Sequence, residues 1–282
     1  MQTITRNNFS MPALGFGTYQ LEGQTAQEMI QTALKIGYRH IDTAQIYGNE
    51  AEVGASIEAA DVARDEIFLT TKVWVDRFSR ERLAPSVEES LRKLRTDYVD
   101  LLLLHWPNPA VPLAETLDVL MQVKAAGQAR QIGVSNFTTQ LMQEAATICG
   151  KGTLVNNQVE YHPYLWQGSV IEQANQLGMT VTAYRPVAKG KIFKDETLRQ
   201  IAEQHGKTTA QVALRWIIQQ GIAAIPRTSQ PEHAEQNFDI FDFELSADEM
   251  ARIDALRGDG RLVSPDSLAP EWDQPYAAAI SG

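Results

Sequence analysis

The chain has 282 residues, 44% of them hydrophobic, a formal net charge of −10 and a single cysteine, Cys149. That length buries a large core without cross-links, one cysteine permits no internal disulfide, and a reducing, cytoplasmic setting is expected. The acidic balance argues against nucleic acid as a partner, and no apolar run approaches the roughly 20 residues of a membrane helix.

The N-terminal residues Met1 to Arg6 contain no apolar signal region. The stretch from Ile4 to Met11, with Asn7-Asn8 inside it, reads as a short hairpin. Strand-like and helix-like runs then alternate. Strands are expected at 14–17, 39–42, 67–71, 98–104, 129–134, 154–158, 180–183 and 223–225. Helices are expected at 25–36, 49–60, 80–94, 113–126, 138–148, 169–177 and 208–219. Gly37, Gly127, Gly178 and Gly221 follow helical runs, where a left-handed cap is expected. The tail, 259–282, is Pro-rich and irregular.

Eight strands with helices between them predict a single-domain (β/α)8 TIM barrel over 1–282, with the hairpin capping its bottom. An open doubly wound sheet is the alternative. That fold usually binds dinucleotides through G-x-G-x-x-G after its first strand. Here the first strand runs into Gly15-Phe16-Gly17-Thr18-Tyr19-Gln20, which lacks the third glycine.

Barrel chemistry sits at the C-terminal ends of the strands. Asp42, Lys72 and His105 end three successive expected strands, and Tyr47 follows Asp42 in the next loop. Each has an ordinary reading alone: Asp42 as a helix cap, Lys72 as an ion-pair partner, His105 as a core histidine and Tyr47 as packing. Four such groups on one rim make a shared chemical role the better reading. A phenol with a pKa of about 10 is a proton donor at neutral pH. An adjacent ammonium is expected to lower that pKa, with Asp42 holding Lys72 charged and His105 orienting a carbonyl oxygen. This constellation suits reduction of a carbonyl.

Several stretches are long and ordered: Gly37-Tyr38-Arg39-His40-Ile41-Asp42-Thr43-Ala44, Tyr47-Gly48-Asn49-Glu50, 91–101, Gly133-Val134-Ser135-Asn136-Phe137 and Asn157-Gln158-Val159-Glu160-Tyr161-His162-Pro163. In these stretches the chain resembles the aldo-keto reductase superfamily across nearly its whole length. Within it, the chain is most similar to the bacterial 2,5-diketo-D-gluconate reductases of the B type, including the tail stretches 261–265 and 268–273. The resemblance implies NAD(P)H-dependent reduction of aldehydes and ketones. The implied substrates are 2,5-diketo-D-gluconate, reduced to 2-keto-L-gulonate, and small dicarbonyls such as methylglyoxal.

The resemblance also implies a cofactor site without a Rossmann fold. Gly17 and Thr18 would border it. Ser135, Asn136 and Gln158 would hold the nicotinamide amide, and Tyr184 would stack on its ring. Pro186, Val187, Ala188 and Gly190 would follow the pyrophosphate. Arg185 departs from the family pattern, which has a small residue there; it either adds a phosphate contact or faces solvent. The 2′-phosphate would meet Arg227, Thr228 and Ser229, and Gln236 and Asn237 would meet the adenine. His233 stands where the family usually has arginine, and histidine lacks arginine's fixed charge. NADPH is therefore expected as cofactor, with NADH accepted as well.

Tyr19, Trp74 and Trp106 follow strands and are expected to line a substrate pocket with His105, Asn108 and Trp272. His40, His162 and His205 show no metal-ligand spacing, so no metal is expected. The expected partner is a small carbonyl compound, and the expected state is a monomer. Two other functions fit parts of the pattern: a Schiff-base aldolase using Lys72, and a cofactor-sensing binding protein. Asp42 counts against the aldolase, because it should keep Lys72 charged. The full set of four rim groups counts against the binding protein.

Overall fold

A computed structural model describes residues 2–274. The chain opens with an antiparallel hairpin, β1 (Thr3–Arg6) and β2 (Phe9–Pro12), turning at Asn7 with φ 51°. Asparagine tolerates this left-handed conformation better than most residues. Asn7 Nδ2 donates to Gly178 O, and Met11 packs at Asn156, Thr180 and Thr182. The hairpin therefore closes the end where the strands begin, as expected.

Eight parallel strands follow: β3 (Phe16–Gly17), β4 (His40–Asp42), β5 (Phe68–Val73), β6 (Val99–Leu104), β7 (Ala129–Ser135), β8 (Leu154–Glu160), β9 (Thr180–Tyr184) and β10 (Ala223–Ala224). They pair in sequence order. A parallel bridge from Leu14 to Ala224 joins the two ends, with Gly15 N donating to Ala224 O at 2.8 Å. The expected barrel is therefore present. Gly133 in β7 permits one close passage, because a Cβ there would lie 2.6 Å from Asn156 O.

Helices α1 (Gly23–Ile36), α2 (Glu50–Glu58), α3 (Leu83–Leu94), α4 (Leu113–Ala125), α5 (Thr139–Cys149), α6 (Gly168–Leu177) and α8 (Thr209–Gln219) match the expected helices within a few residues. In α3, Leu83, Val87, Leu91 and Leu94 are buried on one face, as their spacing requires. Gly127, Gly178 and Gly221 have the positive φ expected of caps.

Three helices were not anticipated: α7 (Glu196–His205), α9 (Pro231–Phe238) and α10 (Ala247–Asp254). Their starts are marked locally. Asp195 accepts from Leu198 N, Pro231 opens α9, and Ser246 with Glu249 forms a capping box. β5 also runs two residues beyond its expected end at Thr71. Lys72 and Val73 remain in register with Leu103 and Leu104, so Lys72 lies inside the strand and is fully buried.

The tail from 259 to 274 has little regular structure but is held in place. The Glu160 carboxylate accepts from Leu262 N and Val263 N, and Asp273 accepts from Thr139 N and Oγ1. The remainder of the expected tail, 275–282, lies outside the described residues. Among the described residues, no helix is long and apolar enough to cross a membrane.

Candidate active site

Asp42, Tyr47, Lys72 and His105 meet at the C-terminal mouth of the barrel. Lys72 Nζ donates to Asp42 Oδ1 at 2.6 Å, to Thr43 O at 2.8 Å and, more weakly, to the Tyr47 hydroxyl at 3.4 Å. An ammonium has three N–H bonds, so these partners occupy all of them. Because the Tyr47 oxygen accepts from Lys72, its own proton is free to point elsewhere. Asp42 Oδ2 accepts from Gln158 Nε2 at 2.7 Å, which ties the ion pair to β8. The Tyr47 ring lies 5.7 Å from His105 and 5.0 Å from Tyr19, and Trp74 packs edge-on against His105 at 5.2 Å.

Burial dominates the electrostatics. It pushes the Tyr47 phenol well above its ordinary value; Asp42 and Tyr19 add to the rise, and Arg185 opposes it. The expected lowering by Lys72 is therefore not the outcome. A phenol in this setting stays protonated at neutral pH. Burial also lowers Lys72, against the pull of Asp42, so Asp42 does not keep it as firmly charged as expected. That removes the electrostatic objection to an aldolase, but geometry supplies another: Lys72 is fully buried with every N–H engaged. Burial and then the Lys72 charge hold His105 well below the usual imidazole value, so it is neutral. Its Nδ1 is buried and has no hydrogen-bond partner among the described residues.

These groups face a cavity of about 910 Å³. That volume lies within the range for small-molecule sites. Gly17, Asn136, Gln158, Tyr184, Pro186, Val187 and Arg227 line it, as do Tyr19, Trp74, His105 and Trp106. The Tyr184 hydroxyl donates to Asn136 Oδ1 at 2.8 Å, and Asn136 holds φ 62°.

Other expected site residues do not face this cavity. The Thr18 side chain donates to Asp42 O, and Ser135 Oγ donates to Gln158 O; both brace the site from behind. Ala188 is buried, and neither it nor Gly190 lines the cavity. Thr228, Ser229, His233, Gln236 and Asn237 lie beyond Arg227, on the approach to α9 and along it, with His233 and Gln236 exposed. Asn108 is turned away: its amide donates to Val75 O and accepts from Ala110 N, beside a second cavity of about 680 Å³ under the tail. Trp272 packs on Trp106 and Arg261 and donates to Ser264 Oγ, so it backs the lining without joining it.

Sequence reading missed the residues that fix the loops. Gln45 donates to Ser86 and Ser90 and accepts from Trp74 N, which anchors the turn carrying Tyr47. Asn49 joins that turn to the first loop through Thr18 O and Leu21 O. Buried Glu50 accepts from Thr71, and burial raises its pKa. The tail segment from Leu262 to Pro265, and Lys189, also line the cavity. For Gln45, Asn49 and Glu50 the available signal is a run of polar residues on either side of Tyr47. Among the described residues, no cluster of His, Cys, Asp or Glu is arranged to hold a metal ion.

The model of the aldo/keto reductase family matches residues 13–257. The chain belongs to this family. As a reductase it is 44% identical to methylglyoxal reductase DkgB of Escherichia coli O157:H7, over 94% of this chain and 100% of that protein. It is 41% identical to glyoxal reductase of Bacillus subtilis strain 168, over 93% and 95% of the two chains. A crystal structure assigned as a 2,5-diketo-D-gluconic acid reductase B superposes with a TM-score of 0.92 at 51% identity, covering 94% of each chain. A point mutant of Gox0644 in complex with NADPH gives 0.88 at 35% identity, over 93% and 96%. The chain is thus an oxidoreductase of a family that uses nicotinamide cofactors.

Proposed function

We propose that this aldo/keto reductase uses NADPH, and also NADH, to reduce small dicarbonyls such as methylglyoxal, and 2,5-diketo-D-gluconate to 2-keto-L-gulonate. The substrates rest on the relatives. The proton chemistry rests chiefly on one observation: the Tyr47 phenol lines the cavity with its oxygen accepting from Lys72 at 3.4 Å, and burial pushes its pKa well up.

The residues present fit the cofactor. Tyr184 offers an aromatic face, Gln158 offers its amide oxygen, Asn136 offers the second lone pair of Oδ1, its N–H groups being held by His105 O and Ser135 Oγ, and Arg227 offers a cation farther along the rim. A bound nicotinamide supplies a hydride to the carbonyl carbon. The protein's part is the oxygen. Neutral His105 donates a hydrogen bond and orients it, and Tyr47 transfers its proton to it. The phenolate left behind faces the Lys72 ammonium, which stabilises it until a proton returns from solvent. Trp74 and Trp106 shield the reacting atoms from water. Residues 1–282 act together as one barrel domain. The four groups meet without a second copy, and the proposed state is a monomer.

The test is a substrate panel followed by cofactor oxidation, run with NADPH and NADH. Carbonyl-dependent oxidation of either cofactor, with the matching alcohol as product, is expected. Absence of such oxidation across aldehydes, ketones and dicarbonyls would refute the reading.

A further inference from the structure

Among the described residues, three cations line the cavity, Arg185, Lys189 and Arg227, against one carboxylate, Asp42, which is tied to Lys72 and Gln158. The cavity is locally positive in a chain of net charge −10. Two of the cations are poorly placed to act at the reacting centre. Arg227 is exposed and spends its Nε and Nη2 on Tyr19 O and Gln20 O. Lys189 is exposed.

Arg185 differs from both. It is half-buried, directly after Tyr184, where the other two are exposed; its left-handed φ of 53° it shares with Lys189 at 51°. A non-glycine residue held in that region is a strained choice, and such strain gathers at functional sites. Its Nη1 is buried without a partner, and Arg185 forms no ion pair among the described residues. A buried guanidinium N–H without an acceptor is costly, and a bound anion would remove the cost. Arg185 is also close enough for its charge to act on the Tyr47 phenol. Arg185 and Tyr47 line the same cavity, so an anion held by Arg185 would share that cavity with the carbonyl being reduced.

We infer that Arg185 is a specificity-determining residue that binds a carboxylate carried by the carbonyl substrate and favours keto acids over neutral aldehydes. A guanidinium matches a carboxylate with two parallel N–H bonds, which a lysine cannot reproduce. The inference rests on the reductase reading above and adds the group that selects its substrate.

The test compares the intact protein with Arg185→Met and Arg185→Lys, using 2,5-diketo-D-gluconate as the anionic substrate and methylglyoxal as the neutral one. The ratio of their kcat/KM values is expected to fall about 30-fold or more in Arg185→Met, mainly through KM, with partial recovery in Arg185→Lys. NADPH affinity, read by fluorescence titration without substrate, should stay within about threefold, since a rim contact is not being removed. Gluconate, which has the carboxylate but no ketone, should inhibit methylglyoxal reduction competitively in the unmodified protein. That inhibition should weaken in both variants.

Equal losses for both substrates, or a rise in the NADPH Kd that matches the loss of activity, would make Arg185 a cofactor phosphate contact and overturn the inference. If Arg185→Met does not fold, failure of gluconate to inhibit the unmodified protein overturns it. Unmodified protein that reduces methylglyoxal but ignores carboxylates overturns the inference and leaves the reductase reading standing. Protein inactive on every carbonyl overturns both.

Discussion

Asp42 and Lys72 are buried and the half-buried Tyr47 is joined to them through Lys72 Nζ, whereas Arg227, His233 and Gln236 stand exposed along the same barrel mouth. The first set is positioned by the fold before any ligand arrives. The second has few protein partners and can adjust to what binds. Changes in the pit should therefore alter rate and stability, and changes on the rim should alter only preference.

The largest stability effect should follow from breaking the buried pair. Lys72→Met leaves Asp42 buried with Gln158 as its side-chain partner, and about 3–5 kcal/mol of unfolding free energy should be lost. The double variant Lys72→Met/Asp42→Leu should recover much of it, because two apolar groups leave no uncompensated charge. Arg227→Ala on the rim should stay within about 0.5 kcal/mol. Urea denaturation of the four proteins checks this, and equal losses in pit and rim would erase the contrast.

Acid should weaken the pit next. Burial lowers His40 from 6.5 to about 4. The unfolded chain then binds more protons between these values, so stability is full above pH 6.5 and is lost as pH falls toward 4. For His40 alone the loss approaches about 3 kcal/mol. His105, lowered in the same direction, adds to it. Unfolding free energies measured from pH 7 down to 4 should show this slope. A flat profile would mean that neither histidine is buried neutral.

A smaller effect is expected at the tail. Glu160→Gln keeps the shape but removes the charge that accepts from Leu262 N and Val263 N. About 1–2 kcal/mol should be lost, with faster proteolysis of the tail. A change of similar size, in preference and not in stability, belongs to the rim. His233→Arg should raise the NADPH/NADH ratio of kcat/KM about tenfold, or 1.4 kcal/mol, without changing kcat. In the unmodified protein that ratio should stay below about 10³, a gap of roughly 4 kcal/mol.

The barrel was readable because its strands and helices differ in length and periodicity, and Asp42 and His105 were readable because they terminate apolar runs. Lys72 was also found, but its burial was not. That burial depends on register with Leu103 across the sheet, a tertiary fact. The bond from Gln158 to Asp42 spans 116 residues of sequence and leaves no local mark. Thr18, Ser135 and Asn108 lie at the expected places, but each side chain turns to a backbone carbonyl instead of the cavity. Residue type and position along the chain do not determine that choice. The start of α10 is different: Ser246 and Glu249 carry a capping box that is legible in the sequence itself.

Proton donation by Tyr47 is tested most directly by single-turnover oxidation of bound NADPH with methylglyoxal, comparing the unmodified protein with Tyr47→Phe. The variant should bind NADPH with unchanged affinity, while its turnover step slows about 10³-fold, in the range for loss of a general acid. A Tyr47→Phe protein that oxidises NADPH at the original rate would contradict the assignment.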